Sequence, residues 1–238
     1  MTTTLFTSLT EADKRGAVER LIADSTPRDD FFLMITLSVI MATFGLLVGS
    51  ASVIIGSMLI APLLSPILGF SMGIVMADRP LISRSFFTVL KSIAFALPCS
   101  AVVTLFFSRI AGLGPGLNPE IISRLSPDVI SAFVALVAGL AASYALIRPQ
   151  LSASLPGVVV SVALIPPLAV TGIGIARLEW SIIADSFVLF LLNVGLIVFA
   201  SSVVFSLTHL YTKQSVAEMA IKKEDERLRK EVEKARKK

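Results

Sequence analysis

The chain has 238 residues, of which 55% are apolar and 16% charged, and a net charge of +4 at neutral pH. Soluble proteins average roughly 45–50% apolar and about 25% charged residues, so these values exclude a water-soluble monomer. The charges are also segregated: ten Lys, Arg, Asp or Glu residues fall in 1–30, twelve in 31–211 and sixteen in 212–238. This pattern predicts an all-α, polytopic transmembrane domain over 31–211, between an amino-terminal segment, 1–30, and a charged tail, 212–238.

Residues 1–30 carry six acids beside four bases and lack the basic start and small-residue cleavage site of a signal peptide, so the first apolar segment is expected to stay as an anchor. Within them Thr10, with Asp13 three residues later, marks the start of a short helix.

No charged residue occurs from 31 to 77. A helix of that length would reach about 70 Å, twice a hydrocarbon core of about 30 Å, so the run must fold back. Gly49-Ser50-Ala51-Ser52 is the expected reversal, giving crossings at 31–48 and 53–77; further apolar segments follow at 86–108, 129–147, 150–176 and 186–208. That makes about six crossings, with both termini on one side. Eighteen Lys and Arg residues then share that side and three (Arg109, Arg124 and Arg177) the other, which puts both termini in the cytoplasm.

The segment Gly56-Ser-Met-Leu-Ile-Ala-Pro62 matches Val160-Ser-Val-Ala-Leu-Ile-Pro166 at an offset of 104, pairing Ser57 with Ser161. Upstream, residues 50–52 match 152–154 at 102; downstream, Ser85-Phe86 matches Ser186-Phe187 at 101. Two repeat units, 31–108 and 129–208, are therefore expected. Each holds three crossings, an odd number, so the second unit enters the membrane from the opposite side: an inverted repeat.

The run Ile-Gly-Ser-Met-Leu-Ile-Ala-Pro-Leu-Leu-Ser-Pro-Ile of 55–67, followed by Gly69 and Gly73, resembles the prokaryotic "domain of unknown function 389" family, as does Ala-Leu-Ile-Pro-Pro-Leu of 163–168. The resemblance covers about 29–210 and implies an inner-membrane protein of bacteria or archaea; it implies no substrate. Many relatives in that family carry a soluble domain ahead of the hydrophobic part, where about thirty residues stand here.

Pro62 and Pro66 fall near the middle of the second crossing, and Pro166 and Pro167 near the middle of the fifth. Proline removes a helical hydrogen bond and clashes with the preceding turn, so both helices are expected to be kinked or interrupted at mid-membrane depth. Ser65-Pro66 reads as an N-cap and N1 pair opening a half-helix, with Gly69 and Gly73 packing closely on a neighbour or on a second copy. Paired interruptions in two inverted halves point to a transport site. In the repeat register Ser92 corresponds to Asn193, each aiming a polar group inward, and Thr171 lies one turn beyond the second proline pair. Lys91 either snorkels to the cytoplasmic surface or meets an anion.

No Asp, Glu or His lies deep in a crossing, His209 is the single histidine and Cys99 the single cysteine. That pattern predicts neither an enzyme nor a metal or cofactor site, and it offers no carboxylate for a proton relay. In the tail, Asp225 and Arg229, Glu226 and Lys230, and Glu233 and Lys237 have the i, i+4 spacing of an exposed helix. Ile221, Leu228 and Ala235 recur every seven residues, a short stripe for a homo-oligomeric coiled coil, and the excess of base suits anionic membrane lipids rather than nucleic acid. Two readings follow: a transporter or channel for a small anionic or neutral solute, or a non-transporting scaffold whose tail binds lipid or a partner.

Overall fold

The structure is a computed structural model that describes residues 9–26, 28–111, 117–148, 151 and 156–236, without the side chains of 111, 156–163 and 234–236. The repeat match at 152–154, the side chain of Ser161 and the pairing of Lys237 therefore lie outside the described residues. Those residues form ten α-helices and one 3-10 turn. They are α1 (Glu11–Asp24), α2 (Asp29–Val48), α3 (Ala51–Ile60), α4 (Leu64–Met76), α5 (Arg79–Ala111), α6 (Pro119–Ile122), α7 (Val129–Ile147), α8 (Pro156–Arg177), α9 (Trp180–Leu207) and α10 (Gln214–Arg236). Four of them, α2, α5, α7 and α9, are long and apolar enough to cross a membrane, and α3 with α4 forms a bent apolar pair that makes five if the two count as one span.

The amino-terminal helix starts as its sequence predicts. The Thr10 hydroxyl accepts from the Asp13 N–H and the Asp13 carboxylate accepts from the Thr10 N–H, a reciprocal capping box that satisfies two orphan donors. The first reversal also falls where expected. Gly49 takes the left-handed conformation (φ 68°), the Ser50 N–H returns to the Gly45 carbonyl at 2.8 Å, and α3 begins one residue later. Gly45 permits this close turn, because a methyl group there would lie 2.9 Å from the Ile54 amide nitrogen.

The second crossing breaks. The axes of α3 and α4 differ by 54°. Ala61, held extended (ψ 119°) by the ring of Pro62 that follows it, ends the first piece. The second piece starts two residues earlier than Ser65-Pro66 predicts: Leu63 is its cap without a side-chain bond, and Pro66 is its third residue. A proline is cheap there, since the first four N–H groups of a helix have no internal acceptor.

The fifth apolar segment is not interrupted, which corrects the expectation of an interruption at Pro166 and Pro167. Helix α8 runs unbroken through both prolines. Residues 164–174 are buried on every side by α2, α3, α5, α7 and α9, and hydroxyls bond the carbonyls of this stretch: Thr171 Oγ1 donates to Pro167 O (2.9 Å) and Ser100 Oγ to Ala169 O (2.8 Å). Such enclosure holds a membrane helix together despite lost donors.

Two hairpins match in local geometry at the offset of 101. Ala77 and Leu178 are both left-handed (φ 53° and 57°). The Asp78 N–H bonds Gly73 O at 2.9 Å, and the Glu179 N–H bonds Gly174 O at 3.1 Å. A methyl group on Gly73 would lie 2.9 Å from the Ile82 nitrogen, and one on Gly174 3.0 Å from that of Ile183. The same register relates contacts between the halves. A methyl group on Gly172 of α8 would lie 3.0 Å from Leu97 O on α5, while Ser71 on α4 donates to Val198 O on α9 at 3.1 Å.

The chain ends meet at one end of the bundle. Helix α10 packs along α1, Arg28 pairs with Glu224 (2.8 Å), Arg84 with Asp225 (2.7 Å), and Lys213 with Glu11. Asp225 thus bonds α5 rather than its expected helical partner Arg229. Val216, Ala217, Ala220 and Ile221 pack into the core, so the upper part of the tail's apolar stripe is used within the chain. At the other end Asn118 caps α6 and donates to Leu46 O (2.5 Å), holding the start of α6 against the first reversal. Replacing Gly174 with Ala should force α8 from α9 and cost about 1–3 kcal/mol. Leu178→Gly should relieve left-handed strain and stabilise by about 1 kcal/mol. Thermal unfolding of both variants in detergent reads these opposite signs.

Candidate functional site at the broken helix

The break presents the first turn of α4 to the end of the bundle that carries the chain termini. Ser25, just past α1, donates its hydroxyl to Ser65 O at 2.9 Å. Gly69, one turn further, allows this seat: a methyl group there would lie 2.8 Å from Ser25 Oγ and 2.6 Å from Ser85 Oγ. The Ser85 hydroxyl is buried and has no hydrogen-bond partner among the described residues. Beside this seat lies a cavity of about 200 Å³ between α1, α4 and the end of α7, lined by Arg20, Asp24, Leu64, Ser65, Leu68 and Leu146 among others. Asp24 keeps an exposed edge, yet burial beside the cavity raises its carboxyl above the usual carboxylate range, against the pull of Arg20 and Arg28.

Of the residues singled out by sequence, Pro62 and Ser65 are half-buried at the break, and Pro66 and Gly69 are buried below it. Ser57 is buried one turn before the break, its hydroxyl donating to Ile54 O (2.6 Å) while its own carbonyl accepts from Ser38 (2.7 Å). Ser92 bonds Thr88 O at 2.8 Å within its own helix. Pro166, Pro167, Thr171 and Asn193 are buried in the bundle centre, where Thr171 Oγ1 and Ser186 Oγ share a hydrogen bond of 2.8 Å. Lys91 is exposed on the outer face of α5 beside Phe87 and Phe95, away from this centre. The structure therefore gathers Ser65 and Gly69 with Ser25 and Ser85 at the break, and Thr171 with Ser186 deeper in. Ser25, Ser85 and Asp24 escape sequence reading, because only the folding of α1 over α4 brings them there. Among the described residues, no three His, Cys, Asp or Glu residues cluster as a metal site would need.

These features define a multi-pass helical membrane protein in which an apolar helix pair, α3 and α4, is broken near a polar seat. The chain belongs to the family described as "Domain of unknown function (DUF389)", whose model matches residues 58–199. It is 35% identical over 176 residues to an uncharacterized protein of Methanocaldococcus jannaschii, a match that covers 73% of this chain and 52% of that one. The chain thus spans about half the length of that relative. No solved structure matches it.

Because the carboxyl of Asp24 is raised in the folded protein, its charged form opposes folding, and that opposition grows as pH rises through the carboxylate range. Asp24→Asn should therefore raise Tm near neutral pH, and the gain should shrink toward zero as the pH falls below that range. A gain that stays constant with pH contradicts the assignment.

Proposed function

We propose that the chain is a transporter or channel of the prokaryotic inner membrane, built from two inverted three-helix units, which passes a small anionic or neutral solute beside the break between α3 and α4. The observation that carries this reading is the pair of matching hairpins at Gly73 to Ile82 and Gly174 to Ile183, joined to a span that is broken in one unit. Equivalent hairpins in units of three crossings sit on opposite membrane faces, the arrangement of many transporters. Helix α8 serves as the fifth of six crossings, and the meeting of α1 with α10 supports an even number. The excess of Lys and Arg on the terminal side supports cytoplasmic termini. The start of α4 points a positive dipole end into the break, and in the cavity beside it Arg20 stands with Asp24 and offsets its charge, which favours anionic or neutral solutes over cations.

The competing reading, a non-transporting scaffold, draws on one observation: Thr171 and Asn193 are closed off from solvent in this conformation. Single cysteines at Ser65, Thr171 and Asn193 in a Cys99→Ser background separate the two. Under the transport reading, a small membrane-impermeant thiol reagent labels Ser65 readily and the other two slowly, as the route opens. Labelling of all three only after denaturation favours the scaffold.

A further inference from the structure

A cleft of about 300 Å³ opens on the outer surface between α5 and α9, with α4 as its floor. Its two walls are equivalent in the repeat register: Phe86 corresponds to Phe187, Leu90 to Leu191, and Ile93 to Val194, each pair 101 residues apart. The rim is open, with Phe86 50% and Leu191 50% exposed, while Phe190 and Ile67 at the bottom are each 1% exposed. Every lining residue is Ile, Leu, Val or Phe. Water entering would find none of the two to four polar partners that it needs, and an empty cleft would forfeit dispersion contacts along both walls.

The walls belong to two helices of membrane-spanning length, so the medium at the rim is hydrocarbon. Size selects the occupant. A helix of a second copy is about 10–12 Å across, and a length matching the wall from Phe86 to Ile93, about 10 Å, fills roughly 800 Å³, far more than the cleft holds. A single hydrocarbon chain fits. One further observation supplies its headgroup: Arg79 stands seven residues, two turns, before Phe86 and therefore above it on the same face of α5. Arg79 is exposed, makes no ion pair with a described residue, and lines a second cavity with Lys222, Glu218 and Asp78. The Asp78 carboxylate there accepts from the Leu81 N–H at 2.9 Å.

We propose that this cleft is a phospholipid site, with one acyl chain lying between the two equivalent walls and the phosphate on Arg79 and Lys222. The site stands whether or not the protein moves a solute, since it requires only the packing of α4, α5 and α9. The lipid would wedge the two third helices of the repeat apart, and its exchange would accompany any motion that closes them.

The test uses the full-length protein in liposomes containing phosphatidylglycerol with a photoreactive diazirine in one acyl chain. Cross-links should concentrate in segments 86–93 and 187–198, several-fold above the outward positions 102–106 and 133–137. Val194→Trp, which fills the cleft, should lower the cleft labelling several-fold; Ile93→Trp is a second filling variant in case the first misfolds. Arg79→Gln should lower labelling by phosphatidylglycerol and leave labelling by the corresponding uncharged diacylglycerol unchanged. Labelling spread evenly over the outer faces, labelling indifferent to both tryptophans, or a cross-linked dimer with an unlabelled cleft would each overturn the proposal.

Discussion

A helix at the centre of a membrane bundle has no water to satisfy its polar groups and no room for error in packing, and α8 is under that constraint more than any other element. Its residues 164–174 are enclosed on every side. Close approach is possible because glycines face backbone: a methyl group at Gly172 would lie 2.4 Å from Ser100 Cβ, and one at Gly174 would meet Ile182 and Ile183. Hydroxyls on the neighbours then act as glue, Ser100 bonding both Thr43 Oγ1 (2.9 Å) and Ala169 O. Walls on all sides keep two prolines within a continuous helix. The second crossing lacks such walls at Pro62 and Ser65, both only half-buried, and there the chain breaks. The difference between the two proline pairs is one of surroundings, not of residue type.

The break needs a partner on its open side, and α1 supplies it through Ser25. What holds α1 down is a set of charges at the terminal end: Glu224, 4% exposed, receives Arg28 and Arg227, while Arg84 joins Asp225 to Thr26. Exposed ion pairs contribute little, but removal of either partner from a buried one strands a charge. The charged tail is therefore part of the architecture around the break, as well as a basic surface suited to anionic lipid.

Much of this was legible in the residues because it depends on local rules. The capping box at Thr10 and the reversal at Gly49 follow from chain neighbours alone. The register of 101 was also legible, since Ser85-Phe86 and Ser186-Phe187 repeat in sequence; its hairpins at Ala77 and Leu178 were not, because neither residue carries the usual glycine signal for a left-handed turn. The continuity of α8 was hidden, since proline spells a break unless its surroundings are known. The start of α4 at Leu64, the outward face of Lys91 and the pairing of Asp225 with Arg84 depend likewise on which helices lie next to each other. The polar seat at Ser25, Ser65 and Ser85 joins three separate elements and has no signature in any one of them.

The central claim is that two copies of one three-helix unit lie in opposite directions across the membrane, so equivalent hairpins must face opposite compartments. Single cysteines at Ala77 and Leu178, in a Cys99→Ser background in intact bacterial cells, test this with a membrane-impermeant thiol reagent. The account predicts that Leu178 labels from outside, whereas Ala77 labels only after the membrane is permeabilised. Labelling of both positions from the same side would contradict it.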